Sequence, residues 1–396
     1  MPRRLYAIVT MPLLFACGGE TASVPPATAT APANAAASAA PPAETSAPAA
    51  AAKPALADLE KKALGDWYAA FNAHDTKKLM PLYSADAIAA SPGPGGWHEV
   101  KGGEAIASAF APIFAALPDL KAAPVRILQK NDLVVVEWAA TGTNTGDFMG
   151  GPPTNKKTGI LGADVFWFAP DGLITRTESF HDQATIAQQL GKMPGKAREL
   201  ATLPAGDPVW VMATGMADED RLVDQWKNTW PAAWSKHDVK GYGDVINDDS
   251  VHIALHGPVD YVGRAALIKE FQMNMKAFPD FTATIDKAWG FAPDTVVAEM
   301  TFTGTMKGAM GPFKATNKTG SSHGLEIDEM KAGKVQRGVT YENGMEFLAS
   351  IGALPKPADK NAKATGPADK PAKAGAQADK PAKAATATDT TSAPKK

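Results

Sequence analysis

Residues 178–191, ESFHDQATIAQQLG, place a single acid, Asp182, where an alternating strand pattern gives way to a helical one. A carboxylate held there in an apolar hollow has its pKa raised by desolvation and can take a proton from carbon beside a carbonyl. The same position is that of a helix N-cap, since Asp directly before QATIAQQLG can accept the first free backbone N–H groups. The sequence leaves both readings open. Residues 339–351, VTYENGMEFLASI, repeat the passage with Asn343 in place of the acid. An amide caps a helix or binds a carbonyl but exchanges no proton near neutral pH, so acid–base chemistry by this route is confined to the first copy.

Neighbouring polar residues are weaker candidates. Asp182 follows Phe180 by two, so the pair is expected on one face of the strand and His181 on the other. Glu137 and Asp164 alternate with apolar residues in strands, where a carboxylate either points into a hollow or is ion-paired. His252 and His256 in HIALH lie about 13 Å apart on a strand, too far for one metal. The chain has one cysteine, Cys17, and no HExxH, Walker or GxSxG motif. No metal and no cofactor is expected.

The elements that must position these residues occur twice. Trp67 and Trp230 are 163 residues apart, as are His74-Asp75 and His237-Asp238; Pro118-Asp119 recurs at 161 and Thr141-Gly142-Thr143 at 162. This is a duplicated domain. In each copy helical patterns come first: Leu56, Leu59, Ala63, Trp67 and Phe71, then Ile106, Phe110, Ile113 and Leu117, matched by Val223, Trp226, Trp230 and Trp234, with a kink expected at Pro231, and by Leu267, Phe271 and Phe278. Strand patterns follow at DLVVVEWAATGT and TGILGADVFWFAPDGLITRTESF, the latter turning at Pro170, Asp171 and Gly172. Helices followed by an antiparallel sheet define an α+β class. A bent sheet roofed by helices encloses a pocket suited to a small apolar or aromatic ligand.

The ends differ from the middle. MPRRLYAIVTMPLLFACGG has two arginines, a short apolar run and a small-residue site, the layout of an export signal, and Leu14 to Cys17 resembles a lipoprotein box whose cysteine is acylated. A plain secretory signal is the alternative. An Ala/Pro-rich tract follows, and the last 42 residues carry nine Lys and four Asp in PADK-type repeats. With a net charge of −2 overall, nucleic acid is not an expected partner. The expected division is signal 1–17, tether 18–55, first domain 56–191, connector 192–217, second domain 218–354 and tail 355–396, on a cell-envelope protein anchored to a membrane through lipidated Cys17.

NAHDTKKLMPLYSADA, FAALPDL, TGTNTGDFMGGPPTNKK and SFHDQATIAQQLG together resemble the SnoaL-like family of polyketide and ester cyclases, within the nuclear transport factor 2-like superfamily of cone-shaped α+β barrels. The resemblance covers about residues 58–191 and, with less detail retained, 218–353. It implies two tandem cones, cofactor-independent aldol-type cyclisation or isomerisation with Asp182 as acid and base, and a pocket lined by Trp67, Phe71, Phe110, Trp138, Phe166 and Phe180, with Asn343 in the second copy. Thr177, Glu178 and Asn144 stand where relatives often carry other residues. Relatives pair sheet to sheet, so two copies on one chain imply an intramolecular pseudo-dimer. Ligand binding without turnover, catalysis through Asp182 and a structural envelope role all remain open on the sequence.

Overall fold

The computed structural model describes residues 55–93 and 95–354. Cys17 and the expected signal, tether and lysine-rich tail lie outside the described residues. The first half runs α1 (Leu56–Asn72), α2 (Thr76–Leu79), β1 (Tyr83–Gly93), β2 (Gly96–Lys101), α3 (Gly103–Ala109), α4 (Ala111–Ala116), β3 (Lys121–Lys130), β4 (Leu133–Thr143), β5 (Lys157–Phe168), β6 (Ile174–His181) and α5 (Gln183–Gln189). After β7 (Val209–Met212), the second half repeats the plan with α6 (Ala217–Lys227), α7 (Trp230–Ser235), α8 (Val239–Asp244), β8 (Ile246–Ala254), β9 (Tyr261–Val262), α9 (Arg264–Ala277), β10 (Thr282–Phe291), β11 (Thr295–Thr305), β12 (Thr319–Lys331), β13 (Lys334–Glu342) and α10 (Gly344–Ser350).

The sheets have one topology, β2-β1-β6-β5-β4-β3-β7 and β9-β8-β13-β12-β11-β10. Their long strands are antiparallel, but β1 runs parallel to β6, as β8 does to β13, so each sheet is mixed. Connector residues VWVM form β7, which extends the first sheet parallel to β3. Pro231 does more than kink a helix. Lacking an N–H, it sits in the first turn of α7, where no intrahelical donor is needed, and α6 and α7 are separate helices. Pro112 likewise opens α4 and divides the first copy's third helical stretch, whereas α9 is continuous.

The repeated landmarks are folding devices. His74 and His237 both take left-handed backbone (φ 56° and 55°), and their rings bond the Leu120 and Phe281 carbonyls. Asp75 and Asp238 cap α2 and α8 through the Lys78 and Gly241 amides. Asp119 accepts from the Thr143 amide and hydroxyl at 2.6 and 2.7 Å, and Asp280 does the same for Thr305 at 2.7 and 2.5 Å. Each of these acids ties the turn that precedes one long strand, β3 or β10, to the end of the next, β4 or β11.

Each sheet is buried on both faces. Helices cover one, with Leu64, Trp67, Phe71, Ile106 and Phe166 packed in the first half and Trp226, Trp234, Leu267 and Phe271 in the second. The other face meets the opposite sheet: Leu128, Val135, Val165 and Phe180 pack with Phe291, Val297, Ile327, Val339 and Tyr341 in one apolar cluster. Full burial of such side chains contributes about 1.5–3 kcal/mol each, so this contact is a core in its own right. Polar bonds cross it: the Tyr341 hydroxyl donates to Glu137 Oε1 (2.6 Å), Arg126 bridges Glu137 and Glu329, and Lys130 meets Glu219 at 2.6 Å. Among the described residues, no helix is long and apolar enough to cross a membrane.

Candidate functional site

Two chambers lie between helices and sheet, one per half. The first has a cavity volume of about 320 Å³ and is lined by Trp67, Phe71, Phe110, Trp138 and Phe166, together with Tyr68, Tyr83, Asp164, Ser179 and His181. Its rings pack on one another: Trp67 stacks on Phe71 at 5.1 Å and meets Phe110 and Phe166 edge-on at 6.0 Å. The Trp67 indole is fixed by donating to the Tyr83 hydroxyl at 2.8 Å. Three polar atoms here are buried without a hydrogen bond of normal geometry among the described residues, Asp164 Oδ1, Trp138 Nε1 and the Tyr68 hydroxyl, although Ser179 and the Trp138 indole stand near enough to Asp164 to bear on its carboxyl. A buried polar group left unbonded costs about 1–3 kcal/mol, so three in one chamber set it apart from the surrounding core. Asp164 is 8 % exposed, and burial pushes its carboxyl up to about 6 against the opposing influence of Ser179 and Trp138. His181, 5.9 Å from the Trp138 ring, is held below its ordinary value by burial, opposed by Asp182.

Asp182 is not in this chamber. Its side chain is 3 % exposed and turns to the junction between the two halves, where Oδ1 accepts from the Ala184 and Gly344 amides, both at 2.9 Å, and Oδ2 from the Thr185 amide (2.8 Å) and hydroxyl (2.6 Å). It caps α5 and tethers the start of α10. Asn343 answers in kind: its Oδ1 accepts from Met345 (3.1 Å) and Gln183 (3.3 Å), and its Nδ2 donates to the Pro92 carbonyl (2.8 Å). Phe180 also faces the other sheet and touches Trp97. Asp182 and Phe180 do share a side, but it is the sheet-to-sheet side. The expected chamber placement of Asp182, Phe180 and Asn343 is therefore corrected, and so is that of His181, which faces the cavity. Apolar Phe180 could not identify the chamber face because both faces of the sheet are apolar. Glu137, bonded to Arg126 and Tyr341, likewise belongs to the junction.

The second chamber, of about 180 Å³, carries more ionisable groups than the first. His252 Nδ1 lies 2.8 Å from Glu270 and Nε2 2.8 Å from the Thr340 hydroxyl, which donates to Glu326 Oε1 at 2.5 Å. With Thr340 donating to Glu326, both imidazole nitrogens donate and the ring is cationic; moving one proton through the hydroxyl gives neutral His252 and protonated Glu326. Burial alone would depress His252, but Glu270, then Glu326 and Asp328, raise it to about 9. Burial and Asp328 push Glu326 up to about 8, with His252 opposing. Asp328 is raised by burial although its Oδ2 accepts from both Trp226 (2.5 Å) and Trp230 (2.6 Å).

The repeat explains where the acids stand. Asp164 pairs with Val136 across β5 and β4, and Glu326 pairs with Ala298 across β12 and β11, the same position 162 residues on. The carboxyl retained in both copies is thus in mid-strand. Aligning GADVFWF with GLEIDEM over the repeat was the signal that would have found it. Among the described residues, no group of three or more His, Cys, Asp and Glu is arranged to hold a metal ion.

The profile of the SnoaL-like domain matches residues 64–177, and that of the SnoaL-like polyketide cyclases matches residues 224–351. Together these span more than half of the sequence, and the chain belongs to the SnoaL-like family, in two tandem copies. Similar solved structures include a putative polyketide cyclase from Streptomyces antibioticus, IdmH (28 % identity, 33 % of this chain and 98 % of that one, TM-score 0.31). Others are AclR, a putative hydroxylase from Streptomyces galilaeus (25 %, 34 % and 98 %, 0.30), and a putative SnoaL-like polyketide cyclase from Jannaschia (16 %, 35 % and 97 %, 0.32). No curated protein matches in sequence.

Proposed function

We propose that the first chamber binds a small, neutral, largely aromatic molecule bearing one oxygen function. The observation that carries this reading is the set of unpartnered buried atoms, Asp164 Oδ1, Trp138 Nε1 and Tyr68 hydroxyl, inside an aromatic cavity. An engineered cavity of about 150 Å³ holds benzene, so about 320 Å³ suits two fused rings. Extraction of the purified full chain followed by mass spectrometry tests it: a co-purifying aromatic compound, lost on Gly162→Ala, supports the reading. Chambers that take up no aromatic compound from a mixed panel overturn it.

A second reading is favoured by one further observation, the position of Asp164 near neutrality. A carboxylate of that basicity beside an orphaned indole N–H and a phenol can abstract a proton next to a carbonyl while the donors hold the developing oxyanion. This is cyclase- or isomerase-type chemistry, without cofactor, through Asp164 in place of Asp182. Deuterium exchange into 2-tetralone is the assay: Asp164→Asn is expected to abolish it, and undiminished exchange in that variant excludes this base.

The same reading places the protein at the cell envelope, exported and anchored through acylated Cys17. Cys17→Ser is expected to move it from the detergent phase to the aqueous phase on Triton X-114 partition, and an unchanged distribution argues against the anchor. The pairing of the halves is read as an intramolecular pseudo-dimer. The reciprocal bonds of Asp182 with Gly344 and of Asn343 with Gln183, two equivalent positions exchanging roles, support it.

A further inference from the structure

We infer that the second chamber is a separate site for a small organic ammonium compound. Its charge balance is the first ground. Four carboxyl groups line it, Glu270, Glu326, Asp328 and Glu342, against His252 and His256; no Lys or Arg is among its described lining residues. The first chamber, built on the same plan, has one carboxyl, Asp164. The network uses only part of the second chamber's acceptor capacity. Thr340 takes Glu326 Oε1, and the two indoles take Asp328 Oδ2. Among the described residues, no donor reaches Glu326 Oε2 or Asp328 Oδ1. His252, paired with Glu270, offsets only part of this negative charge; ionising the remaining buried carboxyl groups is costly, and a cationic ligand relieves that cost.

The walls supply the second ground. Trp230 meets Trp234 edge-on at 6.0 Å, Trp234 meets Phe281 at 5.4 Å, and Phe281 stacks on Phe302 at 6.1 Å. All four line the cavity, so an ammonium head between them meets ring faces as well as carboxylates. A bare metal ion would find neither an adequate ligand set nor a use for these rings. The third ground is Trp234 Nε1, buried and without a partner among the described residues. An N–H donor there calls for an acceptor on the ligand, such as the hydroxyl of an amino alcohol. The cavity of about 180 Å³ limits the ligand to the size of benzene or slightly more, which choline meets. This inference concerns a different chamber from the proposed aromatic site and stands or falls independently of it.

Isothermal titration of the full chain with choline chloride and with its neutral isostere, 3,3-dimethylbutan-1-ol, is the test. Choline is expected to bind about tenfold or more tightly than the alcohol, the scale of a desolvated cation–π and charge contact. Titrated at pH 9, above the value of about 8 to which burial and Asp328 raise Glu326, Glu326→Gln keeps the shape and removes the charge and is expected to erase most of that preference. Should that variant not fold, Trp234→Phe replaces it, expected to weaken choline several-fold while leaving tetramethylammonium unchanged. Equal affinity for choline and the alcohol, no binding of choline, a preference that survives Glu326→Gln, or equal losses for choline and tetramethylammonium in Trp234→Phe would each overturn the assignment.

Discussion

Replacing Asp182 by Ala distinguishes a cap at the junction from a catalytic base. The substitution removes the acceptor for three buried backbone amides, Ala184, Thr185 and Gly344, and for the Thr185 hydroxyl. Loss of an N-cap costs about 1 kcal/mol, and each further buried N–H left without an acceptor adds about 1–3 kcal/mol, less what water recovers. A total of about 3–5 kcal/mol follows, because the Gly344 bond ties the two halves together as well as capping a helix. For a folded region of this size that is a fall in thermal midpoint of roughly 5–8 °C. Asn343→Ala removes the reciprocal acceptor for Gln183 and Met345 and the bond to Pro92, and is expected to cost about 2–4 kcal/mol. The two effects are expected to be less than additive, since both open the same junction. Thermal and urea denaturation of the single and double variants are the assays. A midpoint within about 1 °C of the parent for Asp182→Ala, or intact stability with loss of first-chamber exchange activity, would refute the reasoning.

Three other outcomes are expected. Asp164→Asn stabilises the chain above pH 7, because a carboxyl with a folded pKa of about 6 against an ordinary 3.8 is charged there at a cost; the gain is up to about 3 kcal/mol in denaturant melts, and destabilisation would contradict it. Stability falls as pH rises. The contribution of His252 is complete below about 6.5 and lost as pH passes through about 9; Glu326, and Glu299 of β11, which burial and the neighbouring Glu178 raise against the pull of Lys287, both stand at about 8 in place of 4.5 and lose theirs as pH rises from 4.5 through 8. Melting midpoints should therefore decline from pH 5 to pH 9; a rise over that window contradicts the assigned shifts. Finally, a methyl group at Gly162 would stand 2.2 Å from the Trp138 ring, so Gly162→Ala pushes that indole into the first cavity and abolishes binding there while the second chamber keeps its affinity for choline.

The duplication, the α+β order and the main helices and long strands were legible because they rest on periodicity and on landmarks spaced 161–163 apart. The landmarks' tasks were not. His74-Asp75 and Pro118-Asp119 look the same in sequence whether they serve chemistry or tie a helix end to a strand, and only the bonds to Leu120 and Thr143 decide. β1 was missed because its alternating pattern is weak and its parallel partner is distant in sequence, whereas the strand expected at HIALH is found as β8, ending at Ala254. Parity correctly placed Asp182 with Phe180 and His181 opposite. It could not say which parity faced the chamber, because a sheet covered by helices on one side and another sheet on the other carries apolar residues on both. A second chamber was expected, but its ionisable network escaped notice for a related reason: His252, Glu270, Glu326 and Thr340 come from three strands and a helix, and no local spacing joins them.

The central claim, an aromatic-ligand chamber in the first half with Asp164 as its polar anchor, is tested most directly by calorimetric titration of the full chain with 2-naphthol. One molecule per chain is expected to bind, with affinity about tenfold weaker in Asp164→Leu and none measurable in Gly162→Ala. Binding of equal strength in the parent and both variants, or no binding to the parent, would contradict it.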